Sequence, residues 1–189
     1  MVFTVIDIET TGLSKHYHKI TEIAAAKVRN NKITKTYHTL VNPKVKIPSF
    51  ITRLTGIDNE MVKEAPTINK ALPSFVEFLG EDVFVAHNAT FDFGFIEHNL
   101  KVHNSYRLDN SRLCTRKLAN RLFPELSRKR LSDLCEFMNI NNSDEHRALS
   151  DVKATAKIFA NMLKLMKNRG IYTIEDILKF EKSNIRRNF

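Results

Sequence analysis

An α/β fold, a mixed β-sheet covered by helices, is what this 189-residue sequence predicts. Three observations carry it. An apolar, β-branched run opens the chain, two more strand-like runs flank Asn30-Asn31, and helical and strand-like periods alternate from there onward. Three meander strands followed by alternating helices and strands leave a sheet whose apolar surface helices must cover.

Val2-Phe3-Thr4-Val5-Ile6-Asp7-Ile8 is a strand apolar enough to be buried on both faces, and Thr10-Thr11-Gly12 ends it. Ile20 to Val28 and Lys32 to Val41 form a hairpin about the turn residues Asn30-Asn31. Pro43, Pro48 and Pro66 punctuate a looser region with short helices near 50–55 and 58–63. Ile68, Leu72, Phe75, Val76 and Leu79 recur at helical spacing until Gly80 stops that helix. Asp82 to His87 is a fourth strand, Thr90 to Val102 a helix, and Tyr106 to Cys114 a fifth strand at the edge. Helices follow near 115–122 and 130–138. The clearest is last: Val152, Ala156, Phe159, Leu163 and Met166 step by three or four before Gly170. Ile174 to Phe180 adds a short helix ahead of a polar, basic end.

A hydrophobic share of 42% and a charged share of 27% suit one domain with a sizeable core and argue against global disorder. The net charge of +9 favours polyanionic partners without choosing a fold. Between 107 and 130, Arg107, Arg112, Arg116, Lys117, Arg121, Arg128, Lys129 and Arg130 face only Asp109 and Glu125, so a short stretch supplies much of that excess. Cys114 and Cys135 lack CxxC spacing and sit in apolar runs. They suit a reduced core better than a disulfide or zinc site. Met1 leads straight into the first strand without the basic and apolar segments of a secretory leader, and no apolar stretch approaches about 18 residues. The expectation is a cytoplasmic protein with no membrane partner.

Acids occur where an apolar strand should have none. Asp7 and Glu9, two apart in a strand, share one face at its C-terminal end, where α/β sheets bind ligands. Burying two like charges costs several kcal/mol or raises their pKa unless a cation compensates. A solvent-exposed strand end would explain a lone pair of this kind. Asp92 follows at another strand–helix junction, in Ala86-His87-Asn88-Ala89-Thr90-Phe91-Asp92, and Asp151 begins the last long helix, in His146-Arg147-Ala148-Leu149-Ser150-Asp151. Favourable pairing with a helix N-terminus, worth about 0.5 kcal/mol, would account for either acid alone. Together with His146, the four carboxylates suit a two-metal hydrolase, because hard Mg²⁺ prefers oxygen ligands and a neutral histidine can take a proton from water.

Asp7-Ile8-Glu9-Thr10-Thr11-Gly12, His87-Asn88-Ala89-Thr90-Phe91-Asp92 and His146-Arg147-Ala148-Leu149-Ser150-Asp151 resemble the three motifs of the DEDD exonucleases. A histidine five residues before the last aspartate marks the branch that contains the proofreading epsilon subunit of bacterial DNA polymerase III. The resemblance spans roughly 2–165 and includes Leu54-Thr55-Gly56-Ile57.

The resemblance implies a ribonuclease-H-like fold with a five-stranded mixed sheet and helices on both faces. It implies an exonuclease domain over 1–169, a short basic extension over 170–189, and 3′→5′ removal of nucleotides with two divalent ions, Mg²⁺ or Mn²⁺. By it, Asp7 bridges both ions, Glu9 and Asp151 complete one site, Asp92 holds the other ion through water, and His146 is the general base. Thr10, Leu13, Asn88 and Phe91 fall where relatives touch the terminal nucleotides, with Leu13 a wedge between bases; core packing is the plainer role for Leu13 and Phe91. Single-stranded DNA 3′ ends are the implied partner, with a DNA polymerase as a second.

Two departures stand out. Thr55 occupies a position where many proofreading subunits have histidine, and the chain's tail carries no glutamine-led clamp motif, so a stand-alone trimming enzyme competes with a replisome subunit. An exoribonuclease of the same family is the nearest rival, since the acids do not read the 2′-OH. A non-catalytic nucleic-acid-binding module is the rival of another class, against which the full acid set argues.

Overall fold

Val2–Thr10 (β1), Ile20–Arg29 (β2) and Lys32–Leu40 (β3) form an antiparallel meander in the computed structural model, which describes residues 1–104, 107–142 and 146–184. The hairpin turns through Asn30 and Asn31 at φ 51° and 61°. Asparagine tolerates that left-handed pair, whose twist matches the flanking strands. The chain continues through Ser49–Thr55 (α1), Asn59–Val62 (α2), Ile68–Leu79 (α3), Val83–Ala86 (β4) and Thr90–Asn104 (α4). Arg112–Cys114 (β5), Thr115–Leu122 (α5), Leu131–Phe137 (α6), Ala148–Asn168 (α7) and Ile174–Lys182 (α8) complete it. The strand order is β3-β2-β1-β4-β5, with β4 parallel to both β1 and β5. The sheet is therefore mixed, five-stranded and helix-covered, as the resemblance implies.

Alternation along β1 decides what each face meets. Phe3 and Val5 join Val28, Val85 and Leu113 in a core closed by Leu118, Leu134, Phe159 and Ile177, from α5 to α8. Ile6 and Ile8 point the other way, into a core with Leu72, Phe75 and Leu79 of α3 and Phe95 and Ile96 of α4. On β2, Ala24 and Ala26 meet Ala148 and Val152 of α7. Their small side chains let the start of that helix lie close to the sheet.

The strand bounds of β2, β3 and β4 differ from expectation by one residue at one end or both, and those of β1 and β5 by more. β1 runs on through Glu9 and Thr10, because Asp7 and Glu9 keep their register against Ala24 and Glu22 before the pairing shifts at Thr10. β5 is only Arg112–Cys114: Leu108 is buried in the α3–α4 core, and Asn110 donates to the carbonyls of Gly80 and Asp82, each at 2.8 Å. These bonds tie the approach to β5 to the start of β4 instead of extending the ladder. Tyr106, where the expected strand began, lies outside the described residues, as does the basic end from 185 to 189.

The segment from 170 onward packs on the domain. Thr173 and Asp176 cap α8 reciprocally, Ile177 is buried, and the Arg121 Nε donates to the Ser183 carbonyl at 3.0 Å. Among the described residues no helix is long and apolar enough to cross a membrane.

Phe159 anchors α7 to β1, its ring edge-on to Phe3 at 5.0 Å and fully buried. Phe159→Ala is expected to destabilise the domain by about 3–5 kcal/mol. Urea unfolding checks this, as a lower midpoint with an unchanged slope; a midpoint close to wild type would contradict the anchoring role.

Candidate active site

Asp7 and Glu9 follow Phe3 and Val5 on the α7 face of β1, so the apolar stripe under that helix ends in two carboxylates. Asp151 enters from the first turn of α7. The three acids offer oxygens that all lie within 4.8 Å of one another. Asp92, buried in the first turn of α4, is outside that trio but is the largest charged influence on Asp7. All four acids expected from sequence therefore reach one place, three tightly and one beside them.

Burial, then repulsion by Asp92, Glu9 and Asp151, holds the Asp7 carboxyl well above the usual carboxylate range. Glu9 is pushed up to about 8 by burial and then by Asp151 and Glu22. Asp92 is pushed up to about 7 by burial, against backbone hydrogen bonds from its own amide and that of Ile8. Without compensating positive charge these acids hold protons at neutral pH. Three oxygen donors this close fit a hard divalent cation.

Glu22, which the reading of the sequence passed over, places Asp151. It lies opposite Glu9 on β2, and its side chain has no solvent exposure. Its carboxylate accepts from Arg147 Nη2 at 3.0 Å, from the Ala148 amide at 2.9 Å and from His38 Nε2 at 2.7 Å. Burial alone would raise its pKa, but the bonds from Arg147, His38 and Ala148 outweigh burial and lower it. A charged carboxylate thus pins the first residue of α7. The signal was present in the period of β2, where one glutamate shares a face with Ala24, Ala26 and Val28.

His146 is exposed and sits at φ 64°. Its amide donates to Asp151 Oδ2 at 3.0 Å, while Asn142 Nδ2 donates to Oδ1 at 2.7 Å and itself accepts from the Ser150 hydroxyl at 2.7 Å. The His146 ring borders a cleft of about 540 Å³ together with Asp151, His87, Asn88, Arg116 and Arg130.

The expected nucleotide contacts divide. Leu13 is 86% exposed on the loop after β1, which excludes core packing for it. Asn88 is exposed at φ 74° on the cleft wall. Phe91 is half-buried against Phe95 at 4.9 Å, so the aliphatic and aromatic pair separates. Thr10 is buried, and its hydroxyl donates to the Gly12 carbonyl at 2.6 Å, shaping the loop that carries Leu13. Gly12 has no room for a side chain there, because a Cβ would lie 2.4 Å from the His18 ring.

An exonuclease family model, RNase_T, matches residues 4–159. The chain is 46% identical to the PolC-type DNA polymerase III of Caldanaerobacter subterraneus subsp. tengcongensis over 175 residues, which are 93% of this chain but 12% of that protein. It is 37% identical to the DNA polymerase III subunit epsilon of Aquifex aeolicus over 181 residues, 95% of this chain and 90% of that one. It thus spans only a small part of the PolC-type relatives and most of the epsilon subunit. Among solved structures, exonuclease X in complex with 5′ overhanging duplex DNA superposes with a TM-score of 0.74 and 29% identity, covering 95% of this chain and 99% of that one. Exonuclease I shares the fold, with a TM-score of 0.76 at 19% identity, over 95% of this chain and 42% of its own.

Raised acids make stability depend on pH in a definite direction. A group whose folded pKa is raised stabilises fully below its unfolded value, and that contribution fades as pH climbs through the folded one. For Glu9 the window runs from 4.5 to about 8. In EDTA, the melting temperature of wild type relative to Glu9→Gln is expected to fall from pH 5 to pH 9, and excess Mn²⁺ to reverse the fall by binding the native state. A pH-independent difference would show that Glu9 is not strained. Glu22→Gln is expected to lower urea stability by about 2 kcal/mol, the worth of a hydrogen bond to a charged group; an unchanged midpoint would mean that the start of α7 is held elsewhere.

Proposed function

The chain belongs to the RNase T exonuclease family and is a nuclease; from that membership we propose that it removes nucleoside 5′-monophosphates one at a time from the 3′ end of single-stranded or frayed DNA. The observation that carries this reading is the meeting of Asp7, Glu9 and Asp151 within 4.8 Å, with Asp92 beside Asp7, at a cleft bordered by His146. The epsilon-subunit relative, of which the chain spans 90%, supports DNA as the substrate. A polymerase partner and a role in proofreading or repair belong to the same proposal.

Asp7, Glu9, Asp92 and Asp151 would hold two Mg²⁺ or Mn²⁺ ions. Such ions polarise a phosphoryl group and make water acidic enough to attack near neutral pH. The chain's own residues do the rest. His146 accepts a proton from the attacking water as its oxygen bonds to phosphorus, the bond from phosphorus to the 3′ oxygen of the preceding nucleotide breaks, that oxygen takes a proton from solvent water, and His146 returns its own to solvent. Each cycle leaves a nucleoside monophosphate and a new 3′ hydroxyl. Asp151 orients the base, because its Oδ2 takes the His146 amide while Asn142 fixes its other oxygen. Leu13, exposed on the loop after β1, and Asn88, exposed on the cleft wall, bracket the terminal nucleotide, and a strand with no end has no way into that bracket.

Digestion of matched 5′-labelled single-stranded DNA and RNA in Mg²⁺ or Mn²⁺ tests class and substrate together. A one-nucleotide ladder on DNA is expected, none in EDTA or with Asp7→Ala, and binding without turnover in Ca²⁺, whose looser geometry misplaces the reacting oxygens. Full activity in EDTA, rapid cutting of a circular single strand, or a ladder on RNA alone would overturn the reading. His146→Gln is expected to lose about 10²–10⁴ in single-turnover rate while DNA affinity is kept. A variant that cleaves at the wild-type rate would remove His146 from the reaction.

A further inference from the structure

The eight basic residues between 107 and 130 do not act as one patch, because the fold has already engaged half of them. Arg112 lies over the Phe93 ring at 4.8 Å, and Lys117 pairs with Glu181 at 3.6 Å. Arg121 donates to the carbonyls of Lys117 and Ser183, and the Lys129 ammonium is folded back on the carbonyl of Leu126. Arg128 faces a separate groove with Asp133 and Glu136, away from the acids of the site. Of the remaining three, Arg107, Arg116 and Arg130, the last two flank the site. Both are exposed, both border the cleft that contains His146 and Asp151, and among the described residues neither takes part in an ion pair.

Their spacing is set from below. His87, at the end of β4, bonds through Nδ1 to the Thr115 hydroxyl at 2.9 Å and through Nε2 to the Lys129 carbonyl at 3.0 Å. Thr115 and Lys129 are the chain neighbours of Arg116 and Arg130, so one imidazole ties together the two backbones that carry the guanidinium groups. Burial pushes the His87 pKa down to about 4. The clip is therefore neutral and adds no charge of its own to the cleft. Two guanidinium groups that border the cleft with Asp151, itself clustered with Asp7 and Glu9, form a positive wall along one side of a negative centre. Such a wall is misplaced for binding cations but suited to a chain of phosphates that leads to that centre, since guanidinium groups match phosphate oxygens in planar, two-bond geometry.

We propose that Arg116 and Arg130, spaced by the His87 clip, form a subsite for the phosphodiesters on the 5′ side of the scissile one. The inference rests on the exonuclease reading of the adjacent centre. The subsite adds nothing for a dinucleotide, whose single phosphodiester is the one cut. For longer strands it contributes affinity with each phosphate that reaches it, and it makes binding sensitive to salt.

The test compares wild type, the double variant Arg116→Ala/Arg130→Ala and the control Arg128→Ala on two probes, dT2 and dT8, with fluorescein joined to a 5′-amino group so that the label adds no phosphate. Anisotropy of the labelled dT8 in Ca²⁺ gives affinity against salt without cleavage. The double variant is expected to bind about tenfold more weakly at 0.1 M salt and to lose about 1.4 from the logarithmic salt slope, roughly 0.7 for each contact. Arg128→Ala is expected to keep the wild-type slope. In Mg²⁺ the defect of the double variant should grow from dT2 to dT8. Replacing both arginines by lysine should restore most of the salt slope, since the charge remains. An unchanged slope in the alanine variant, or an equal loss on both lengths, overturns the subsite. Failure of wild type to cut either probe would overturn the exonuclease reading instead, and the binding slopes still decide the subsite.

Discussion

Glu22 is a carboxylate with no solvent exposure, opposite another carboxylate, and the candidate site depends on how it is satisfied. Side chains directly opposite on antiparallel strands approach to about 5 Å, where two like charges repel. The fold resolves this by treating the two unequally. Glu22 receives Arg147, His38 and the Ala148 amide and stays ionised, whereas Glu9 has burial and three acidic neighbours and holds its proton to about 8. Neighbouring titratable groups whose pKa values are driven apart take different roles. Here one acid organises the backbone and the other stays with the acid cluster. From Glu22 the order propagates through Ala148 to Asp151, and from Asp151 to the amide of His146.

The division between rigid and adaptable parts follows from this arrangement. All four acids stand on regular elements, with Asp7 and Glu9 on the central strand, Asp151 on a 21-residue helix and Asp92 in the first turn of another helix. Small residues make the approach close enough, because Ala24, Ala26 and Ala148 leave little between sheet and helix. By contrast, Leu13 and Asn88 lie on loops, where exposure permits adjustment to a ligand. His146 stands between these classes. Its side chain is free at the cleft, but its backbone is held in a left-handed conformation that costs about 1 kcal/mol and persists because Asp151 takes its amide.

Mutual repulsion in the acid cluster opposes folding, and its cost is carried by the two cores on either side of β1. Phe3 and Val5 precede Asp7 and Glu9 on one face, while Ile6 and Ile8 bury the other completely. A strand apolar on both faces cannot bend away from its own charged end, so the acids stay where the sheet puts them. The same rigidity that holds the acids together suits them to a divalent cation.

Period and punctuation in the sequence determined most of the architecture. The apolar run of β1, the Asn30-Asn31 turn and the stepping of Val152, Ala156 and Phe159 state local preferences that tertiary contacts did not reverse. The spacing of Asp7 and Glu9 likewise fixed their common face, since residues two apart in a strand cannot do otherwise. Elsewhere tertiary contacts decided. The length of β5 follows from Asn110 reaching Gly80 and Asp82, the fate of Leu13 from a turn closed by Thr10, and the role of Glu22 from a helix that begins 126 residues later. The run of positive charge from 107 to 130 was legible as composition, but which arginines face the cleft was not. Hydrogen bonds and ion pairs between residues far apart in the chain have no period, so only the folded chain brings Arg116 and Arg130 to one cleft with His146 and Asp151.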